Sequence, residues 1–165
     1  MNLTRQILGS LFMASLFAAC NNSSDQKTAA TPGNAADSAG IKEETISFAA
    51  DGANLRAFVV YDDSVKGRRP AVIVVPEWWG LNDYPKMRAR MLAKLGYVAM
   101  ALDVYGDGKV ADNPDSAGAW AMPVYAHPEK GKTRVDAAIA KLKTYDNVDT
   151  TEIGAIGYCF GGGVL

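Results

Sequence analysis

Histidine and cysteine are scarce in this sequence, with one of the first and two of the second among 165 residues. With only Cys20 and Cys159 available, at most one disulfide can form. Positive charge is not in excess either: 17 Lys and Arg face 18 Asp and Glu, for a net charge of -1. A protein that grips a phosphate backbone needs a basic footprint, so nucleic acid is excluded as an expected partner and a small molecule is favoured. The apolar run from Ile7 to Ala19 falls short of the roughly 20 residues that cross a bilayer, so a retained transmembrane helix is the weaker reading of it. Two phosphate-binding glycine motifs are missing as well. No G-x-G-x-x-G follows a strand, and no Lys-Ser or Lys-Thr completes a P-loop.

What is present has the composition of an ordinary folded domain, 48% hydrophobic and 21% charged, with length enough for one core. The first residues, MNLTRQILGSLFMASLFAAC, set Arg5 before the apolar run and small residues Ala18 and Ala19 before Cys20. That is the anatomy of an export signal. LFAAC also resembles a bacterial lipobox, in which the cysteine after the cleavage point is lipidated. Residues 1–19 are therefore expected to be a signal peptide, Cys20 a lipid attachment point, and the mature chain a lipoprotein held on the periplasmic or outer side of a membrane. Plain secretion and a structural apolar N-terminus are the alternatives. Residues 20–40, rich in Ala, Ser, Asn and Gly, lack the large apolar side chains needed to bury surface and read as a flexible tether.

The domain is expected over 41–165. Two strands joined at Asp51-Gly52 open it as a β-hairpin, since Asp-Gly between alternating apolar positions favours a tight turn. The short β-branched run Ala71 to Val75 reads as a buried strand. The helix that follows is expected to be capped by Asp83, to carry Met87, Met91 and Leu95 on one apolar face, and to end at Gly96. YVAMALDVYG is a further strand, 106–128 a long connection, and EKGKTRVDAAIAKLKTY a helix with Val135, Ala138, Ile139 and Leu142 inward. EIGAIG supplies the last strand. Strand and helix alternating in this way predict an α/β fold with a mostly parallel sheet.

The chemistry concentrates in GYCFGG, residues 157–162. A nucleophile elbow holds its central residue in a strained backbone geometry, and the positions two residues to either side must be glycine because a side chain would clash in the tight turn from strand to helix. The helix that follows turns its N-terminus toward the sulfur, which favours the thiolate. Cys159 is the candidate nucleophile, and a buried cysteine without chemistry is the alternative. Glu77 lies just past a central strand, at the edge where open α/β sheets bind ligands. Trp78 and Trp79 can wall a pocket or simply pack.

GYCFGGG, VVPEWWGLN and ALDVYG together resemble the dienelactone hydrolase family of α/β-hydrolases over roughly residues 44–165. The resemblance implies an ester or lactone hydrolase whose cysteine nucleophile is Cys159 and whose resting thiol pairs with Glu77. It implies an oxyanion hole made by the backbone N–H groups of Trp78 and Phe160, with Tyr105 near the site. No cofactor and no metal are expected.

Two departures qualify that expectation. In this fold the triad runs nucleophile, acid, histidine along the chain, yet neither acid nor histidine follows Cys159; His127 precedes it and reads as a cap or loop residue, with a permuted catalytic role as the alternative. The chain is thus expected to be the N-terminal part of a longer hydrolase, truncated after the elbow, and inactive as it stands. Dienelactone-cleaving members hold the substrate carboxylate with arginines, whereas the stretch from Gly106 to His127 has none, which makes a neutral ester or lactone equally suitable. The competing reading is a non-catalytic α/β lipoprotein that binds a small ligand in the same crevice or has decayed.

Overall fold

The structure is a computed structural model that describes residues 40–165. The expected signal peptide, Cys20 and the tether up to residue 39 lie outside the described residues. The hairpin expected at Asp51-Gly52 joins β1 (Ile41–Ala50) to β2 (Ala53–Asp62). Both turn residues have left-handed backbones, φ 49° at Asp51 and 70° at Gly52. That geometry matches the twist of paired strands, and Asp and Gly tolerate it better than most residues.

The remaining elements are β3 (Arg69–Val75), α1 (Asp83–Lys94), β4 (Val98–Leu102), α2 (Pro114–Ala126), α3 (Pro128–Leu142), β5 (Val148–Gly157) and α4 (Phe160–Val164). The strands lie in the order β1-β2-β4-β3-β5. β2 runs antiparallel to β1 and β4, while β4, β3 and β5 are mutually parallel, so only β2 points against the rest of the mixed sheet. The chain steps from β3 to β4 in one direction and then returns across β3 to reach β5. Crossovers of one hand that move in opposite directions must use opposite faces, which puts α1 on one face and α2 with α3 on the other.

The two faces are packed differently. On the α1 side, Ala99 and Ala101 of β4 meet Ala89 and Ala93 of the helix beside Phe58, Val60, Val74 and Leu81. On the other side, Leu55, Val59, Ile73, Val75, Met100 and Leu102 pack under Val124 of α2 and Val135, Ala138 and Leu142 of α3. Alternate residues of each strand thus serve opposite layers, as the strand period of two requires.

Three details differ from the sequence expectation. The cap of α1 is Asn82, whose side chain accepts from the Tyr84 amide at 3.0 Å, and Asp83 is the first helical residue. The inward face of α1 is Pro85, Ala89 and Ala93, whereas Met87, Met91 and Leu95 are exposed. Both sets recur every four residues, so periodicity cannot choose between them. Small residues win because the helix lies close against a sheet face built from alanines. Gly96 does end the helix, in a Schellman motif with Gly96 N–H donating to Ala93 O and Tyr97 N–H to Leu92 O. The third difference is α2, which occupies much of the expected connection over 106–128. Asn113 caps it by accepting from the Ser116 amide at 2.9 Å, and Pro114 starts it.

Candidate active site

The end of β5 builds an elbow. Tyr158 N–H donates to Val75 O at 3.1 Å, the chain reverses at Cys159 with φ 49° and ψ -113°, and Gly161 N–H closes back on Tyr158 O at 2.8 Å. A positive φ is strained for any side chain other than glycine's hydrogen, and it is this strain that lifts Cys159 out of the sheet. The flanking glycines are required by space. A Cβ on Gly157 would overlap the Gly161 carbonyl, and one on Gly161 would overlap the Val75 carbonyl and reach Pro76 O at 2.6 Å.

The neighbours of the cysteine anchor the elbow on both faces of the sheet. Tyr158 turns to the α1 side, where its hydroxyl accepts from Arg88 Nε at 2.8 Å and its ring meets Tyr84 edge-on at 5.7 Å. Phe160 turns to the other side, 1% exposed, with its ring 5.5 Å from Tyr105 and 5.1 Å from Tyr125. Cys159 is left between them as an exposed free thiol.

Glu77 follows the carboxyl end of β3, which is paired with β5 up to Val75 opposite Gly157. It is half-buried and opens a turn closed by Gly80 N–H donating to Glu77 O at 3.1 Å. The pairing expected between the Glu77 carboxylate and the thiol is not made, since neither side chain forms a hydrogen bond among the described residues. Trp78 and Trp79, both half-buried, stack edge-to-face at 5.2 Å. The amides assigned to the oxyanion hole occupy positions where secondary structure leaves an N–H unused: Trp78 is the second residue of the turn and Phe160 the first of α4.

Tyr105 is buried, and its hydroxyl donates to Trp78 O at 2.9 Å. Burial pushes its phenol well above the usual range, and the charges of Tyr125, Asp103 and Cys159 add to that. It remains a neutral donor wherever a thiol chemistry operates. His127 sits at the junction of α2 and α3, exposed, with Nδ1 3.1 Å from Glu129 Oε1. That is the loop position expected for it.

One residue of this region was not anticipated. Asp103 is fully buried just past β4, and its carboxylate accepts from the amides of Tyr105 and Gly106 at 2.9 Å and of Gly108 at 2.8 Å. The available signal was an aspartate ahead of Gly106-Asp107-Gly108, a spacing that favours side-chain capping of a turn.

A model of the dienelactone hydrolase family matches residues 55–165. Protein usf of Aquifex pyrophilus is 32% identical over 127 residues, covering 72% of this chain and 52% of the relative. A Bradyrhizobium protein named "Probable 2-oxo-3-(5-oxofuran-2-ylidene)propanoate lactonase" is 36% identical over 101 residues, covering 59% of this chain and 40% of the relative. Among solved structures, a dienelactone hydrolase-like promiscuous phosphotriesterase from metagenomic libraries superposes with a TM-score of 0.72 at 34% identity, covering 76% of this chain and 52% of that one. The chain spans about half the length of these relatives or less.

Proposed function

The chain belongs to the dienelactone hydrolase family, and from that premise we propose that it contributes the nucleophile and oxyanion hole of a carboxylic ester or lactone hydrolase. The observation that carries this reading is the left-handed backbone of Cys159 between two glycines that no side chain can replace.

In the proposed reaction the Cys159 sulfur, as thiolate, attacks the substrate carbonyl carbon. A C–S bond forms, and the carbonyl π pair moves to oxygen. The amides of Phe160 and Trp78 receive that oxyanion, which collapses to a thioester as the alcohol oxygen departs and takes up a proton. For a lactone the alcohol stays tethered to the acyl group. Water then cleaves the thioester, releasing the carboxylic acid and restoring the thiol. Within this chain Glu77, at the same sheet edge as the elbow, is the candidate acceptor of the thiol proton once a bound substrate brings the two side chains into hydrogen-bond reach, a contact the structure does not make. Carboxylic esters and lactones are the proposed substrate class, with neutral ones as suitable as charged ones because the segment from Gly106 to His127 offers no arginine for a carboxylate. The lactonase name of the Bradyrhizobium relative supports the lactone ring, while the propanoate in that name carries a charge that a neutral substrate does not share.

Incubation with p-nitrophenyl acetate followed by mass mapping tests the nucleophile. Acetylation is expected to be fastest on Cys159, and in Cys159→Ala only the slow background acetylation of Cys20 and lysines remains. Undiminished acetylation of the variant overturns the assignment. Lipid attachment at Cys20 is a separate proposal, supported by the LFAAC sequence. It predicts fatty-acid label on the protein expressed in bacteria and loss of that label in Cys20→Ala, and an unlabelled wild type overturns it.

A further inference from the structure

We propose that the loop after β4, folded around Asp103 and acting through the Tyr105 hydroxyl, is a clamp that fixes the direction of the Trp78 amide; Tyr105 and Asp103 are positioning residues of the oxyanion hole. The inference rests on the hydrolase reading above and adds to it two side chains that touch no reacting atom.

The turn after β3 is held at three successive carbonyls. Glu77 O accepts from Gly80 N–H at 3.1 Å, Trp78 O from the Tyr105 hydroxyl at 2.9 Å, and Trp79 O from Ala111 N–H at 3.0 Å. The first bond orients the peptide plane that carries the Trp78 N–H. The second fixes the plane after it, so no free rotation remains at Trp78. Only the first belongs to the turn itself; the other two come from the loop after β4. Gly80 and Val110 also form an isolated bridge, and a Cβ on Gly80 would overlap the Lys109 carbonyl.

The loop has its own foundation. Gly106, Asp107 and Gly108 are all left-handed, with φ of 91°, 59° and 69°. Such a run needs external support, and Asp103 supplies it with both carboxylate oxygens. Asp107 N–H donates to Asn54 O at 2.7 Å, and Asp103 N–H to Arg56 O at 2.8 Å, which moor the loop to β2. A Cβ on Gly106 would lie 2.9 Å from Ala53 Cβ, and one on Gly108 would lie 2.8 Å from Arg56 Cδ, so the glycines admit this close approach. The Tyr105 ring is packed against Phe160 and Trp120, at 5.5 and 5.9 Å between centroids. Its hydroxyl is thereby aimed by a rigid side chain, and this one side chain touches the residues that own both oxyanion donors, Phe160 through its ring and Trp78 through its hydroxyl.

The test separates reactions that need an oxyanion hole from one that does not. Acetylation of Cys159 by p-nitrophenyl acetate passes through a tetrahedral oxyanion. Alkylation by iodoacetamide displaces iodide at a saturated carbon and makes none. Tyr105→Phe removes one oxygen and keeps the ring, so the fold is retained, as circular dichroism will verify. Acetylation is expected to slow about tenfold or more, since a small misalignment of a donor is costly, while alkylation stays within about twofold. Asp103→Asn is expected to shift the same ratio in the same direction. A ratio unchanged in Tyr105→Phe, or both rates falling together, overturns the clamp. A wild-type Cys159 that is alkylated but never acetylated instead overturns the hydrolase reading, so the two failures are distinguishable.

Discussion

Gly157 and Gly161 meet across the turn that carries Cys159, so closely that a Cβ on the first would overlap the carbonyl of the second. The contact makes the elbow a sterically determined object. Gly161→Ala must push the new methyl into the carbonyls of Val75 and Pro76, both main-chain atoms of the central strand and its exit. Overpacking of this kind costs about 1–3 kcal/mol, and urea unfolding will read it as a lowered midpoint. Gly118→Ala is the matched control. Gly118 lies in α2 with open space around its α-carbon, and relief of helical glycine is expected to stabilise by about 0.5–1 kcal/mol. A Gly161→Ala protein as stable as the wild type would remove the steric argument for the motif.

The alanine face of α1 makes a second prediction. Ala93 is fully buried against Ala99 and Ala101, while Met91 is 48% exposed. Ala93→Leu is expected to destabilise by about 1–3 kcal/mol. Met91→Gln, which removes a larger apolar group, is expected to stay within about 0.5 kcal/mol of wild type. The reverse ranking would mean that the methionine stripe is the packed face after all.

The contrast shows where the sequence was legible. The hairpin followed from Asp51-Gly52, the buried strands from β-branched runs, and the elbow from GYCFGG, because each rests on a backbone or steric constraint that few residue types satisfy. The orientation of α1 was not legible. It depends on how near a helix lies to a particular sheet face, a fact about Ala99 and Ala101 that no pattern within residues 83–95 contains. α2 was hidden by Gly118 and Pro123, although Asn113-Pro114 carried a sound start signal. At the site, single residues could be named, but not the bonds linking Asp103 to Tyr105 and Tyr105 to Trp78. Those bonds depend on β4 lying next to β3, which is a property of strand order and not of either segment.

Alkaline pH should weaken the fold through the half-buried phenol of Tyr145. Burial pushes the Tyr145 phenol upward, and the neighbouring Glu44 carboxylate adds to the shift. The folded state therefore binds this proton more tightly than the unfolded chain, where a phenol titrates near about 10. The resulting stability is fully present below that unfolded value and is lost as pH rises above it toward the folded value. Urea midpoints measured between about pH 8 and about pH 11 should fall more steeply for wild type than for Tyr145→Phe. Parallel slopes would show that Tyr145 contributes no such linkage.

Cys159 itself should be a site where stability and reactivity oppose each other. Its φ of 49° and ψ of -113° lie in a region that glycine enters freely and side chains enter at a cost of about 1–3 kcal/mol. Its side chain makes no capping hydrogen bond to α4, so little is lost when it is removed. Cys159→Gly is therefore expected to abolish acetylation and yet raise stability. The gain should be nearer about 1 kcal/mol than the full strain, because glycine also adds freedom to the unfolded chain. Cys159→Ala keeps the Cβ and hence the strain, so it should lose acetylation with stability close to wild type. If glycine and alanine proved equally stable, the positive φ would store no strain, and the exposure of the thiol would owe nothing to the backbone of the elbow.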